Sequence, residues 1–281
     1  MTKQTLFVFG LGFTGLRFAQ VMRLLGWEVS GSVTSAEKSQ KLREFGINAF
    51  AMDDTFEEAV QNSTHILSTV PPQQRAADES NPDPILQRFT PSAAWIAYLS
   101  TTGVYGDHDG AWVNETTPAT GGTNQAREIA DAQWREHGAT IFRLPGIYGP
   151  GRSALERAEK GALSRIDKAG HVFSRIHVDD IVQALVASAL NPHIGGIFNV
   201  ADDAPTPQHV VEDYACELLG IEAPPLVAYE DAALSPRGRQ FYSQCRRVAN
   251  TKIKEAFGLT LLYPTYKEGL RSCLAARHIR V

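Results

Sequence analysis

A strand, a glycine-rich turn and a helix follow one another at the start of the chain. Thr5-Leu6-Phe7-Val8-Phe9 is a short apolar run, Gly10-Leu11-Gly12-Phe13-Thr14-Gly15 comes directly after it, and Leu16 to Leu25 reads as a helix. In that context the G-x-G-x-x-G spacing has a mechanical reading. Gly10 permits the tight turn, Gly12 lets the main chain approach a pyrophosphate, and Gly15 lets the helix lie close on the strand. The free N–H groups and positive end of the helix then face the phosphates, with Phe13 and Thr14 in the same turn.

The rhythm continues. Strands are expected at Trp27 to Val33, Ile47 to Met52, His65 to Val70, Ala94 to Ser100 and Thr140 to Leu144. Helices are expected at Ala36 to Phe45, Phe56 to Gln61, Ile85 to Phe89 and Ala126 to His137. Such alternation predicts an α/β, Rossmann-type doubly wound parallel sheet. After Gly151 the pattern changes: Ile176 to Leu190 reads as a short strand feeding a helix, Gly196 to Val200 as another strand, and the rest as helices broken by proline-rich loops. The expected organisation is a nucleotide-binding core over 1–150, completed by 175–200. A smaller C-terminal substrate-side cap is expected from 151–174 and 201–281. Ligands of such sheets sit at the carboxyl ends of the strands. That rule selects the glycine turn, Thr34, Ser35, Asp53, Thr69, Val70, Pro71, Thr101, Thr102 and Pro145 to Tyr148.

Charge is near balance, with 27 Lys+Arg against 31 Asp+Glu and a net charge of -4, which argues against a broad nucleic-acid or anionic-membrane surface. Cys216, Cys245 and Cys273 are far apart, so neither a metal site nor a disulfide framework is expected. With no apolar run of membrane-spanning length and a first strand close to the amino terminus, the expected location is cytoplasmic.

The second strand ends Ser32-Val33-Thr34-Ser35, without the acid that usually grips the ribose 2′-OH of NAD. Thr34 stands at that place. Its hydroxyl, Ser35 and Lys38 suit a 2′-phosphate, which leans the choice to NADP over NAD. The same residues read equally as a helix cap beside a solvated lysine. Asp53 reads either as an adenine contact or as a turn residue.

Several segments together resemble one family, the extended short-chain dehydrogenase/reductases, also called the NAD-dependent epimerase/dehydratase family. They are Phe9 to Gly15, Leu99-Ser100-Thr101-Thr102-Gly103-Val104-Tyr105-Gly106, Phe142 to Gly151, Arg175-Ile176-His177-Val178-Asp179-Asp180-Ile181 and Phe198 to Asp202. The tail, with Arg247 to Asn250 and Tyr263 to Tyr266, resembles the family's atypical subgroup. The resemblance implies an NAD(P) cofactor, a small polar substrate with nucleotide sugars among the options, and pairing into a homodimer.

One departure bears on activity. The family uses Ser or Thr followed by Tyr-x-x-x-Lys. Thr101 matches the first, but Asp131 sets a register that places Thr123 at the tyrosine and Arg127 at the lysine. A threonine hydroxyl is a far weaker acid than a tyrosine, and a guanidinium stays protonated and cannot be a base. Arg127 can still bond a ribose or hold an anion. Tyr105, His108 and Tyr148 are the other groups near that end of the sheet that could carry a proton, though the two tyrosines read first as structural turn residues and His108 as a solvated loop histidine, and His177 and Asp179 read as turn and cap residues. Arg237, Arg239, Arg246 and Arg247 form a basic cluster that reads by default as a solvated face, while the resemblance implies a cap that grips a nucleotide-sugar diphosphate, which arginine suits. Two functions follow: an NAD(P)-dependent oxidoreductase or epimerase/dehydratase-like enzyme with a degenerate site, or a non-catalytic NAD(P)-binding sensor.

Overall fold

The computed structural model describes residues 4–51, 54–72, 83–89 and 93–278. They divide into two compact units. The first comprises the described parts of 1–104, 124–143 and 181–198; the second takes 105–123, 144–180 and 199–281.

The first unit is built on a seven-stranded sheet. Its strands include β1 (Thr5–Phe9), β2 (Glu28–Val33), β3 (Asn48–Ala51), β4 (His65–Ser68) and β5 (Trp95–Thr101). From one edge the order is Ile197–Asn199, Thr140–Leu144, β5, β4, β1, β2, β3. The ladders linking β1 to β2, β1 to β4, β2 to β3 and β4 to β5 are parallel. The expected Rossmann-type sheet is therefore present. Its strand order reverses between β1 and β4, where a ligand crevice opens in such folds.

β1 is apolar without alternation because both of its faces are covered: Leu6, Phe7, Val8 and Phe9 are all buried. Phe7 and Phe9 pack at 4.8 Å between ring centres, and Phe56 joins them. Helices of this unit include α1 (Phe13–Leu24), α2 (Ala36–Glu44), α3 (Glu57–Gln61) and α4 (Gln125–Glu136). α1 starts three residues before the Leu16 expected from sequence. Gly12 is its N-cap, so Phe13, Thr14 and Gly15 form its first turn and bring Gly15 against β1. The helix expected over Ile85 to Phe89 is a 3₁₀ turn, Leu86–Arg88, preceded by an Asp83 carboxylate that accepts the Ile85 N–H at 3.0 Å.

α4 presents Arg127, Asp131 and Trp134 along one stripe, at i, i+4 and i+7. Trp134 stacks flat on Tyr98 of β5, with centroids 4.9 Å apart and planes at 4°. Asp131 accepts a hydrogen bond from Ser100 Oγ at 2.5 Å and two from Arg143, at 3.0 Å from Nε and 2.7 Å from Nη2. The aspartate that sets the register is thus half of a buried ion pair.

In the second unit, helices Ala154–Glu159, Gln208–Leu219 and Tyr266–His278 enclose Leu155, Val211, Ala215, Leu270 and Cys273. A capping box between Ser153 and Glu156 starts the first of these helices. Gly146–Tyr148 pairs in parallel with Arg175–His177. The buried Asp180 accepts the main-chain N–H groups of Leu262 and Tyr263, at 2.6 and 3.2 Å.

Burial pushes the Asp180 carboxyl up to about 6, against those two hydrogen bonds. The folded chain therefore holds a proton there that the unfolded chain releases near pH 4. This group's contribution to stability falls as pH rises from about 4 to about 6, by on the order of 2–3 kcal/mol. Asp180→Asn should flatten the pH dependence of the unfolding free energy across that window, as read by urea titration. An unchanged slope would show that the carboxyl titrates normally.

Candidate functional site

The glycine turn is held from three sides, all within the first unit. Gly10 has φ +87, which disfavours any side chain. Its N–H donates to Ser32 Oγ at 3.1 Å, and its carbonyl accepts from Thr69 Oγ1 at 2.7 Å. Leu11 N–H bonds the Ser32 carbonyl at 2.8 Å, and the Leu11 carbonyl accepts the Lys38 ammonium at 2.7 Å. Thr69 N–H in turn bonds the Phe9 carbonyl at 2.9 Å. Ends of β1, β2 and β4 and the first turn of α2 thus converge on one loop.

The two later glycines differ in what they do. A Cβ on Gly15 would stand 2.3 Å from the Gly10 carbonyl oxygen, so helix-to-strand packing requires glycine there. A Cβ on Gly12 would meet nothing within 4 Å, and its φ of -87 suits other residues. Neither packing nor backbone conformation accounts for Gly12. Space stands open beside it at the start of α1, where no side chain caps the helix and no acid lies in the first turn. The positive helix end makes that space anion-accepting.

Thr34 and Ser35 are exposed at the end of β2, and Ser35 caps α2 by accepting the Lys38 N–H at 3.3 Å. The Lys38 main chain is part of the cap, as the cap reading expects, but its ammonium is bonded to the glycine turn instead of being left to solvent. Val70 and Pro71 continue from Thr69 at the β4 end. Asp53 lies outside the described residues. Pro145 belongs to the second unit.

Of the three residues that the sequence reading places at catalytic positions, Thr101 and Arg127 fall in the first unit and Thr123, exposed, in the second. The Thr101 hydroxyl oxygen accepts the Gly103 N–H at 3.0 Å, which leaves its proton to donate outward. Arg127 is half-buried in the first turn of α4.

The remaining proton-carrier candidates are engaged inside the second unit. Tyr105 is buried and donates to Asn199 Oδ1 at 2.8 Å. His108 Nε2 sits 3.1 Å from the Tyr105 carbonyl. The Tyr148 hydroxyl is enclosed, and burial pushes its pKa far above the usual tyrosine value. His177 is fully buried; its Nδ1 accepts the Asp179 N–H at 3.2 Å, which fixes the turn before the helix Val178–Leu190. Ser272 Oγ lies 3.4 Å from His177 Nε2, and Asp179 Oδ2 lies 3.6 Å from Nδ1. That order resembles a hydrolase triad, but the amide on Nδ1 assigns the ring proton to Nε2, so the imidazole cannot take a proton from Ser272. Ser272 instead donates to the Gly269 carbonyl at 2.9 Å.

Two of the tail arginines turn inward. Arg246 donates to the Gly106 carbonyl at 2.5 Å, and Arg247 donates to the Gly110 carbonyl. The side chain of Arg237 lies outside the described residues. Among the described residues there is no cluster of His, Cys, Asp and Glu that could hold a metal, and no helix long and apolar enough to cross a membrane. All three cysteines are buried and free.

A switch-point crevice with this glycine turn defines a Rossmann-type protein, and solved structures extend the likeness to the epimerase/dehydratase fold. The Streptomyces venezuelae dTDP-glucose 4,6-dehydratase DesIV, solved with NAD and TYD, superposes with a TM-score of 0.75 at 18% identity, covering 99% of this chain and 98% of that one. Human epimerase family protein SDR39U1, solved with NADPH, gives 0.73 at 14% identity over 97% and 99% of the two chains. A functionally unknown conserved protein from Silicibacter pomeroyi is 38% identical, covers 98% of this chain and 99% of that one, and has a TM-score of 0.86. The chain belongs to the same family as that Silicibacter protein. Protein YeeZ of Escherichia coli K12 is 27% identical over 240 residues, 77% of this chain and 84% of YeeZ. No family model matches the chain.

Proposed function

We propose that this protein binds a nicotinamide dinucleotide, NADP ahead of NAD, and uses it on a small polar substrate of the nucleotide-sugar kind. The observation that carries this reading is the open space at Gly12. A glycine that the fold does not need, at the start of a helix with no side-chain cap and no acid in its first turn, fits the close approach of a pyrophosphate. The Lys38 ammonium beside exposed Thr34 and Ser35, with no acid at the end of β2, favours a 2′-phosphate over a free 2′-hydroxyl. The bound ligands of two proteins of this fold, NADPH in SDR39U1 and NAD in DesIV, support the cofactor class. The dTDP-glucose named for DesIV supports the substrate class.

When bound, the nicotinamide supplies or accepts hydride. The chain's own residues orient the parts: the glycine turn holds the diphosphate, Arg127 the ribose, and Thr101 directs its hydroxyl proton at a substrate oxygen. A second reading, a dinucleotide sensor without turnover, is favoured by one observation: Tyr105, His108 and Tyr148 all direct their polar atoms into the second unit.

Calorimetry with NADPH and NADH tests the binding. Tighter association with NADPH is expected, and Lys38→Ala should reduce that preference by about tenfold, the loss of one charge-assisted contact to a phosphate. Equal affinity for both in the wild type would reject the NADP assignment, and no binding of either would reject the reading. Absorbance at 340 nm with nucleotide-sugar and carbonyl substrates then separates the enzyme from the sensor.

A further inference from the structure

Tyr98 carries a polar atom that the fold does not explain. The residue has no exposed surface, its ring lies flat on Trp134, and its hydroxyl is shut off from solvent with no hydrogen bond completed at it. A phenylalanine would keep the stack and fill the same space. A buried hydroxyl left with no partner at all would cost about 1–3 kcal/mol, so its presence asks what it is for.

The α4 stripe indicates one. Asp131 lies over Ser100 and Trp134 over Tyr98, so α4 runs opposite to β5, and Arg127, one turn before Asp131, stands toward the carboxyl end of the strand. The Tyr98 hydroxyl is close enough to Arg127 for the guanidinium charge to act on it, and the Asp83 and Asp131 carboxylates act on it as well. The two arginines near this interface are treated differently. Arg143 is locked on the Asp131 carboxylate, which cancels its charge. Arg127 has no carboxylate paired with it among the described residues and faces a hydroxyl, which can accept an N–H without neutralising anything.

We infer that Tyr98 is a positioning residue: its hydroxyl holds the Arg127 guanidinium at the carboxyl edge of the sheet while leaving the full positive charge for an anionic or hydroxyl-bearing part of the ligand. This rests on the dinucleotide reading for its ligand, but not for the Tyr98–Arg127 contact itself.

Three variants test it: Tyr98→Phe, Arg127→Met and the double substitution. NADPH is the probe, calorimetry measures affinity, and the Arg127 side-chain resonance, assigned by its loss in Arg127→Met, reports the contact without ligand. Tyr98→Phe should shift that resonance, should not lower the melting temperature, and should weaken NADPH by about fivefold, one hydrogen bond's worth. Arg127→Met should weaken it at least as much, and the double variant no more than Arg127→Met alone, because the tyrosine acts through the arginine. An unmoved Arg127 resonance, or effects that multiply in the double variant, overturns the inference. If the wild type binds no NADPH while the resonance still shifts, the positioning contact stands and the dinucleotide reading falls.

Discussion

Replacing Arg143 with methionine is expected to cost the first unit about 3–5 kcal/mol of unfolding free energy, measured by chemical denaturation. Both members of the pair are almost wholly buried, at 1% and 2% side-chain exposure. The guanidinium makes two hydrogen bonds to the Asp131 carboxylate, and Ser100 makes a third. Methionine fills the space but leaves a desolvated carboxylate with one hydroxyl partner. Replacing both residues with apolar side chains of similar volume should recover most of the stability, because the attraction within the pair does little more than offset its desolvation. A loss below about 1 kcal/mol in Arg143→Met would mean that water reaches the pair.

The second large effect separates Gly12 from Gly15. Alanine at 15 puts its Cβ 2.3 Å from a main-chain oxygen, with the Val8 and Thr69 side chains also within 3.2 Å. Neither helix nor turn can give way by rotamer change alone, so α1 must move off β1. Loss of stability of about 1–3 kcal/mol and a large fall in NADPH affinity should appear together. Alanine at 12 meets no protein atom, and its extended conformation is open to alanine. Stability should hold or rise by about 0.4–1 kcal/mol through the unfolded chain, while NADPH affinity falls by at least about tenfold, because the methyl group occupies the ligand's place. Denaturation and calorimetry on the same two variants read both quantities. A Gly12→Ala protein that binds NADPH as the wild type does would remove the principal support for the proposed site.

The order of elements followed from local pattern. Unbroken apolar runs such as Leu6 to Phe9 become strands buried on both faces, and the glycine turn comes where the pattern put it, because turn conformation and strand burial depend on neighbours in the chain. Thr69 was reachable by rule, since strand ends face the crevice. The starting point of α1 was not: Gly15 has to lie in the helix to touch β1, and that contact is tertiary.

Side-chain partnerships were decided by the fold. Asp131 and Arg143 are both prominent in the sequence, but nothing local says that they bind each other. Lys38 reaches the Leu11 carbonyl from 27 positions away, and Arg246 reaches Gly106 from 140. The sequence by itself determined where the glycine turn falls, the order of the strands and helices around it, and that no tyrosine lies between Tyr105 and Tyr148. Only the tertiary structure decided that Tyr105 is bonded inward, that Gly12 stands beside open space, and that the Tyr98 hydroxyl is buried beside Arg127. The reason is physical: backbone conformation responds to adjacent residues, whereas burial, desolvation and charge pairing depend on which distant residues the packed chain brings within a few ångströms.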